Sequence, residues 1–226
     1  MQAVTTKPGT PISQTAARFS WAAAVLSLIL LAALHFLKPE FDPSWRMVSE
    51  YAIGRNGWVM DIAFLSLSVS CVALFVAIRP QIRTTGGYIG QTLLLISAAA
   101  IATAAFFTID PITASKDALT THGNLHGLAS MIGNPGLTIA AILISRSLIP
   151  EQSWSPSRRL LLWTSNLIWI CLLLMLLTLA VTLPQSGGKF GPNVLIGWPN
   201  RLLMVAYCTW LMSVAWHALK LYSQRS

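Results

Sequence analysis

Five side chains able to exchange protons or hold a metal fall at corresponding ends of long apolar runs: His35, Asp61, Asp110, His122 and His126. His122 and His126 lie in "THGNLHG", residues 121–127. Four residues apart, they share one helix face, continued by Ser130, and that spacing is common among metal ligands. With an acid nearby, the same pair would serve general acid–base or metal-assisted chemistry. Haem ligation would instead need His35 or His126 paired across the molecule. Asp110 precedes Pro111 in "TIDP", where a helix must stop or turn. Asp61 follows Trp58 by three residues in the first turn of another helix. Each has a plainer role open to it: the histidines as interfacial polar groups, the two acids as helix caps.

A second polar group is "VSEYAIGRNGW", residues 48–58, which gathers Glu50, Tyr51, Gly54, Arg55, Gly57 and Trp58. The glycines let the chain turn sharply. Arg201 closes "IGWPNR", residues 196–201, and is expected to point outward from a helix start whose dipole disfavours a cation. Glu50, in a glycine-hinged loop, is the acid free to reach it. The expected fastening is Glu50 against Arg201 or Arg55, with the loop as a structured lid. Beneath it, Glu50, Tyr51, Arg55, Asp61, Asp110, His122, His126 and Arg201 would outline a polar pocket.

The elements that must position these groups follow from composition. Of 226 residues, 54% are hydrophobic and 10% charged, against about 25% charged in a soluble domain. Mean hydropathy is +0.63. The apolar residues form six blocks: 20–37, 58–78, 89–109, 125–148, 160–183 and 201–221. Each is close to the roughly 20 residues that cross a bilayer as a helix. Backbone groups in lipid must be satisfied within the segment, which excludes isolated strands. The fold class expected is all-α, a polytopic bundle of six transmembrane helices over residues 20–221, with residues 1–19 and 222–226 as tails.

Lys and Arg set the orientation. With a cytoplasmic N-terminus, nine lie inside and six outside, while six of the seven acids fall on the outer side. Both termini are therefore expected in the cytoplasm, and the partner expected is the lipid bilayer. The net charge of +8 fits basic loops against anionic headgroups, so no nucleic-acid partner is expected. Cys71, Cys171 and Cys208 lie in apolar blocks without metal-ligand spacing and read as small packing residues. Soluble-enzyme signatures (a phosphate-binding glycine loop, a serine nucleophile elbow, a zinc-protease helix) are missing from the sequence.

"GNPG", residues 133–136, marks a bend or close approach in the fourth helix, with Asn134 placed to satisfy a carbonyl freed by Pro135. "SAAAIATAA", residues 97–105, predicts that the third helix packs closely against its neighbours. "DPSWRMVSEYAIGRNGWVMD", residues 42–61, resembles the signature of the six-helix bacterial membrane family catalogued as domain of unknown function 998, through Ser49, Glu50, Tyr51, Gly54, Gly57 and Trp58. The histidine-bearing start of the fourth helix and the Gly197–Arg201 pair resemble that family's later marks. The resemblance spans residues 20–221. It implies a six-helix bundle in a bacterial inner membrane and carries no activity over to any residue. Three functions stay open: binding or moving a lipid headgroup or small polar molecule, a membrane enzyme with a His/Asp or metal site, and a structural accessory subunit. No cofactor or oligomeric state follows from the sequence.

Overall fold

The computed structural model describes residues 13–223, whose regular elements are all helical. Six helices are long: α1 (Gln14–Leu37), α2 (Trp58–Ile78), α3 (Thr85–Phe106), α4 (Thr121–Leu148), α5 (Arg158–Gln185) and α6 (Gly197–Ser223). All six are long and apolar enough to cross a membrane. The chain is an all-α membrane bundle.

Several helices begin before their apolar blocks, and capping explains why. α1 starts at Gln14, where Ser13 Oγ accepts from the Ala16 amide at 3.3 Å. Residues 14–19, expected as tail, are therefore helical, while residues 1–12 and 224–226 lie outside the described residues. α3 and α4 start on Thr84 and Thr120, whose hydroxyls accept from the Gly87 and Gly123 amides at 3.1 and 3.0 Å. Hydropathy locates the stretch in lipid, whereas a side-chain acceptor fixes the first turn. The two differ by about a turn.

The helices pack by close backbone contact and by serine hydroxyls. A Cβ on Gly133 would stand 3.2 Å from that of Ala100, and one on Gly136 would stand 2.6 Å from Ser97 Oγ. The glycines of "GNPG" thus seat α4 on the small-residue face of α3, as membrane helix contacts favour. Ser70 Oγ donates to the Ser20 carbonyl and Ser27 Oγ to the Ala63 carbonyl, joining α1 to α2. α6 carries much of the core through Leu203, Tyr207, Trp210, Leu211 and Val214, while Leu173, Leu174 and Leu177 of α5 face outward. Cys71, Cys171 and Cys208 are free and buried. Contacts place residues 38–57, 107–120 and 186–196 at one end of the bundle; Gly197 N, for example, donates to the Ser44 carbonyl at 3.0 Å.

Candidate functional site

The first connection folds into a 3₁₀ turn, Val48–Ala52, pressed onto the start of α6. Gly197 permits the approach: a Cβ there would stand 2.3 Å from the Pro43 carbonyl oxygen. One helical turn later, Arg201 clasps the loop. Its Nη1 donates to the carbonyls of Arg46 at 2.7 Å, Gly197 at 3.1 Å and Pro43 at 3.2 Å. Its Nη2 donates to Tyr51 Oη at 2.7 Å, and its Nε to His35 Nε2 at 2.9 Å. His35 Nδ1 meets the Leu31 carbonyl at 2.8 Å. A carbonyl cannot donate, so Nδ1 carries the proton and Nε2 offers its lone pair to Arg201.

Arg201 is 4% exposed, so it points into the molecule, contrary to the outward placement expected. It forms no ion pair among the described residues. Glu50, fully buried, pairs instead with Arg46: Nη1 stands 2.8 Å from Oε1. Arg46 lies four residues before Glu50 on the same turn and reaches it without bending the loop. Glu50 also accepts from the Ile112 amide on Oε1 and the Met47 amide on Oε2, each at 3.1 Å. Burial pushes the Glu50 carboxyl above the ordinary glutamate range, against the opposing pull of the Ile112 amide and Arg46. Glu50 thereby stitches the first connection to the third. Arg55 is exposed beside left-handed Gly54 and Asn56, and it takes no part. Gly57 closes the expected turn, its amide donating to the Gly54 carbonyl at 3.1 Å, and a Cβ there would lie 2.1 Å from the Ala52 carbonyl oxygen.

The remaining ionisable groups do not converge under the loop. Asp110 Oδ2 accepts from the Thr120 amide at 2.7 Å and Oδ1 from its hydroxyl at 2.9 Å, bracing the cap of α4. Asp61 is half-buried in the first turn of α2, and His122 is exposed with its ring 5.2 Å from that of Phe107. His126 is 1% exposed, and its Nδ1 meets the carbonyls of Phe107 at 2.8 Å and Ala104 at 3.0 Å. The two histidines therefore share spacing but not surroundings. Among the described residues no group of three or more His, Cys, Asp or Glu side chains could hold a metal.

Inside the bundle, below Met47–Ser49, a cavity of about 440 Å³ is walled by α2 through α6. Its size falls within the roughly 300–1,000 Å³ of small-molecule sites. Most of the wall is apolar, including Phe64, Leu67, Ile101, Leu172 and Met204, and no Lys, Arg, Asp or Glu among the described residues lines it. The polar pocket expected from the sequence is thus two things: a saturated polar knot above and a mainly apolar cavity below. Met131 and Leu176, 76% and 49% exposed, belong to the cavity wall. The cavity wall therefore includes side chains that are exposed on α4 and α5.

One side of the cavity is polar. His126, Ser130 and Asn134 recur every four residues along α4 and all line it. Because both partners of His126 Nδ1 are acceptors, that nitrogen carries the proton and leaves Nε2 as an acceptor with no partner among the described residues. The side chains of Ser130 and Asn134 likewise bond nothing among the described residues. Asn134 does not fill the carbonyl gap left by Pro135; its own carbonyl instead accepts from Thr138 Oγ1 and Tyr207 Oη, each at 2.8 Å. Asn200, across the cavity, accepts from the Val48 amide at 2.9 Å, and its amide nitrogen meets only Met175 Sδ at 3.9 Å. Sequence spacing gave His126 and Ser130 a common face; the parts played by Arg46, Asn200 and Tyr207 had no comparable signal.

The family model described as "Protein of unknown function (DUF998)" matches residues 21–217. No curated protein and no solved structure matches the chain.

Proposed function

The chain belongs to the DUF998 family, and we propose that it binds an amphiphile dissolved in the bilayer, taking it in sideways between α4 and α5. The observation that carries this reading is a cavity wall that includes the exposed side chains of Met131 and Leu176. A water-soluble ligand would gain little from an opening on that surface. An acyl chain would exchange lipid contacts for contacts with Phe64, Leu67, Leu172 and Met204, and a polar end would meet the side chains of α4. The metal-enzyme alternative has less support, because His122 and His126 occupy separate environments and neither hydrogen-bonds an acid.

In our reading both termini are cytoplasmic and the membrane is a bacterial cytoplasmic one, so the cavity opens toward the outer leaflet. The Lys and Arg distribution supports this orientation. Cysteines placed at Ser44 and Ser186 should then label with an impermeant thiol reagent applied from outside, and one at exposed Ser155 should not; the opposite pattern would move the cavity to the inner leaflet.

Gly127 provides the test of binding itself. It lines the cavity, and a Cβ added there meets nothing within 4 Å. Gly127→Trp should fill the cavity while keeping the helix. Native mass spectrometry of protein released from membranes should show retained lipid on the wild type and about tenfold less on the variant, equivalent to roughly 1.4 kcal/mol, at an unchanged melting temperature. Equal retention would contradict the proposal.

A further inference from the structure

We infer that the occupant is an uncharged, hydroxyl-bearing lipid, of the monoacylglycerol type, whose oxygens lie along His126, Ser130 and Asn134. This rests on the cavity being a binding site and goes on to name the ligand's chemistry.

Two features of the wall select that chemistry. First, charge is missing. A cavity with no Lys, Arg, Asp or Glu among its described lining residues offers nothing to compensate a phosphate, carboxylate or ammonium drawn in from the interface, and such a group is costly to bury unpaired. Charged phospholipid headgroups are therefore excluded from it. Second, unpartnered polar atoms are present where an apolar chain alone would need none. Ser130 and Asn134 are part-exposed and face the cavity; covering such groups with an acyl chain that offers no partner costs about 1–3 kcal/mol each, so a wall built only for acyl chains would carry apolar residues at these positions. Asn134 stands near the midpoint of α4, where water is scarcest.

The donors and acceptors on that wall are of fixed kinds. His126 Nε2 accepts, because Nδ1 already donates to two carbonyls. The ligand must therefore bring an O–H or N–H donor to it. Ser130 can donate or accept, and the Asn134 amide offers both. The Asn200 amide nitrogen adds a donor on the facing helix. From His126 to Asn134 is eight residues, about 12 Å of helix. That length spans more than one hydroxyl and matches a hydroxyl followed by an ester carbonyl further down the molecule. Pro135 adds one more acceptor: lacking an N–H, it leaves the Met131 carbonyl without its helical partner beside the lateral opening.

The test uses the full chain in phosphatidylcholine nanodiscs with tritiated monooleoylglycerol as the probe. Saturable binding should be displaced by unlabelled monooleoylglycerol. Methyl oleate, which keeps the ester but has no donor, should compete about tenfold more weakly, as expected for one lost hydrogen bond. Dioleoylphosphatidylglycerol, which keeps glycerol hydroxyls but adds a charged phosphate, should not compete. Ser130→Ala with Asn134→Leu should lower affinity by about tenfold or more. Because neither side chain bonds the protein, the variant should fold like the wild type, and this arm does not depend on altering His126, which is also structural. Equal competition by all three lipids, each abolished by Gly127→Trp, would overturn the hydroxyl assignment and leave a general lipid site. No saturable binding of any of them would overturn both.

Discussion

Two polar clusters, one at the end of the bundle around Arg201 and one running from His126 to the middle of α4, differ in how completely their hydrogen bonds are made. Around Arg201 each guanidinium nitrogen has a destination among three carbonyls, one phenol and one imidazole. Glu50 beside it accepts from a guanidinium and two amides. Along α4, by contrast, His126 Nε2 and the side chains of Ser130 and Asn134 face a cavity with no partner among the described residues. The first cluster holds charges and is closed; the second is uncharged and open. A buried polar group that is satisfied stabilises the fold, whereas one that faces a cavity without a protein partner is left available to a ligand. On that criterion the sequence's most conspicuous motif is a fastening, and the quieter side of α4 is the surface we propose for binding.

The comparison can be broken by mutating each cluster and measuring unfolding. The largest effect is expected at Arg201. Arg201→Met orphans the buried acceptors of the knot, each worth about 1–3 kcal/mol, so a loss on the order of 4 kcal/mol or more should appear in denaturant titration of the detergent-solubilised protein. Arg201→Lys should not restore it, because an ammonium lacks the guanidinium's planar fork. A loss below about 1 kcal/mol, within the range of an ordinary surface change, would show that the knot is not the fastening.

Glu50→Gln should cost less, about 1–3 kcal/mol, since one amide donor and Arg46 lose their acceptor. The variant should also change the pH profile. Burial raises the folded-state pKa of Glu50 above its ordinary value of 4.5, so the folded protein binds the proton more tightly than the unfolded chain. Stability contributed by this group then rises as pH falls from the raised value toward 4.5, and declines again on the way up. Comparing wild type and Glu50→Gln across that window isolates the slope; a wild type that gains stability with rising pH through Glu50 would contradict the burial argument.

The smallest stability change is expected on α4. Asn134→Leu removes no hydrogen bond within the protein, so unfolding should shift by less than about 0.5 kcal/mol or become slightly harder. A loss of 2 kcal/mol would mean that Asn134 serves the fold, and the contrast between the clusters would fail.

How much of this was legible in the sequence depended on the range of the interaction. The six helices were, because a block of apolar residues long enough to cross a bilayer is a local property of the chain. Their first turns were less so, since the starts of α1, α3 and α4 rest on Ser13, Thr84 and Thr120, which lie outside the apolar blocks. The importance of Arg201 showed in its unfavourable place at a helix start. Its partners did not, because five of its contacts come from backbone or from neutral side chains that charge counting ignores. The four-residue spacing of His122, His126 and Ser130 was visible, but depth was not: His122 stays at the exposed first turn, and the useful repeat runs the other way, to Asn134. An empty space between five helices leaves no mark in a single sequence.

The central claim is that lipid enters the bundle between α4 and α5 and lies along the polar side of α4. Photocrosslinking with a diazirine-bearing monooleoylglycerol, followed by peptide mass spectrometry, tests it directly. The account predicts that labelling concentrates on cavity residues such as Met131, Leu137 and Met175, and that unlabelled monooleoylglycerol removes it. Labelling spread over the outward leucines of α5, Leu173 and Leu177, and insensitive to competitor, would contradict it.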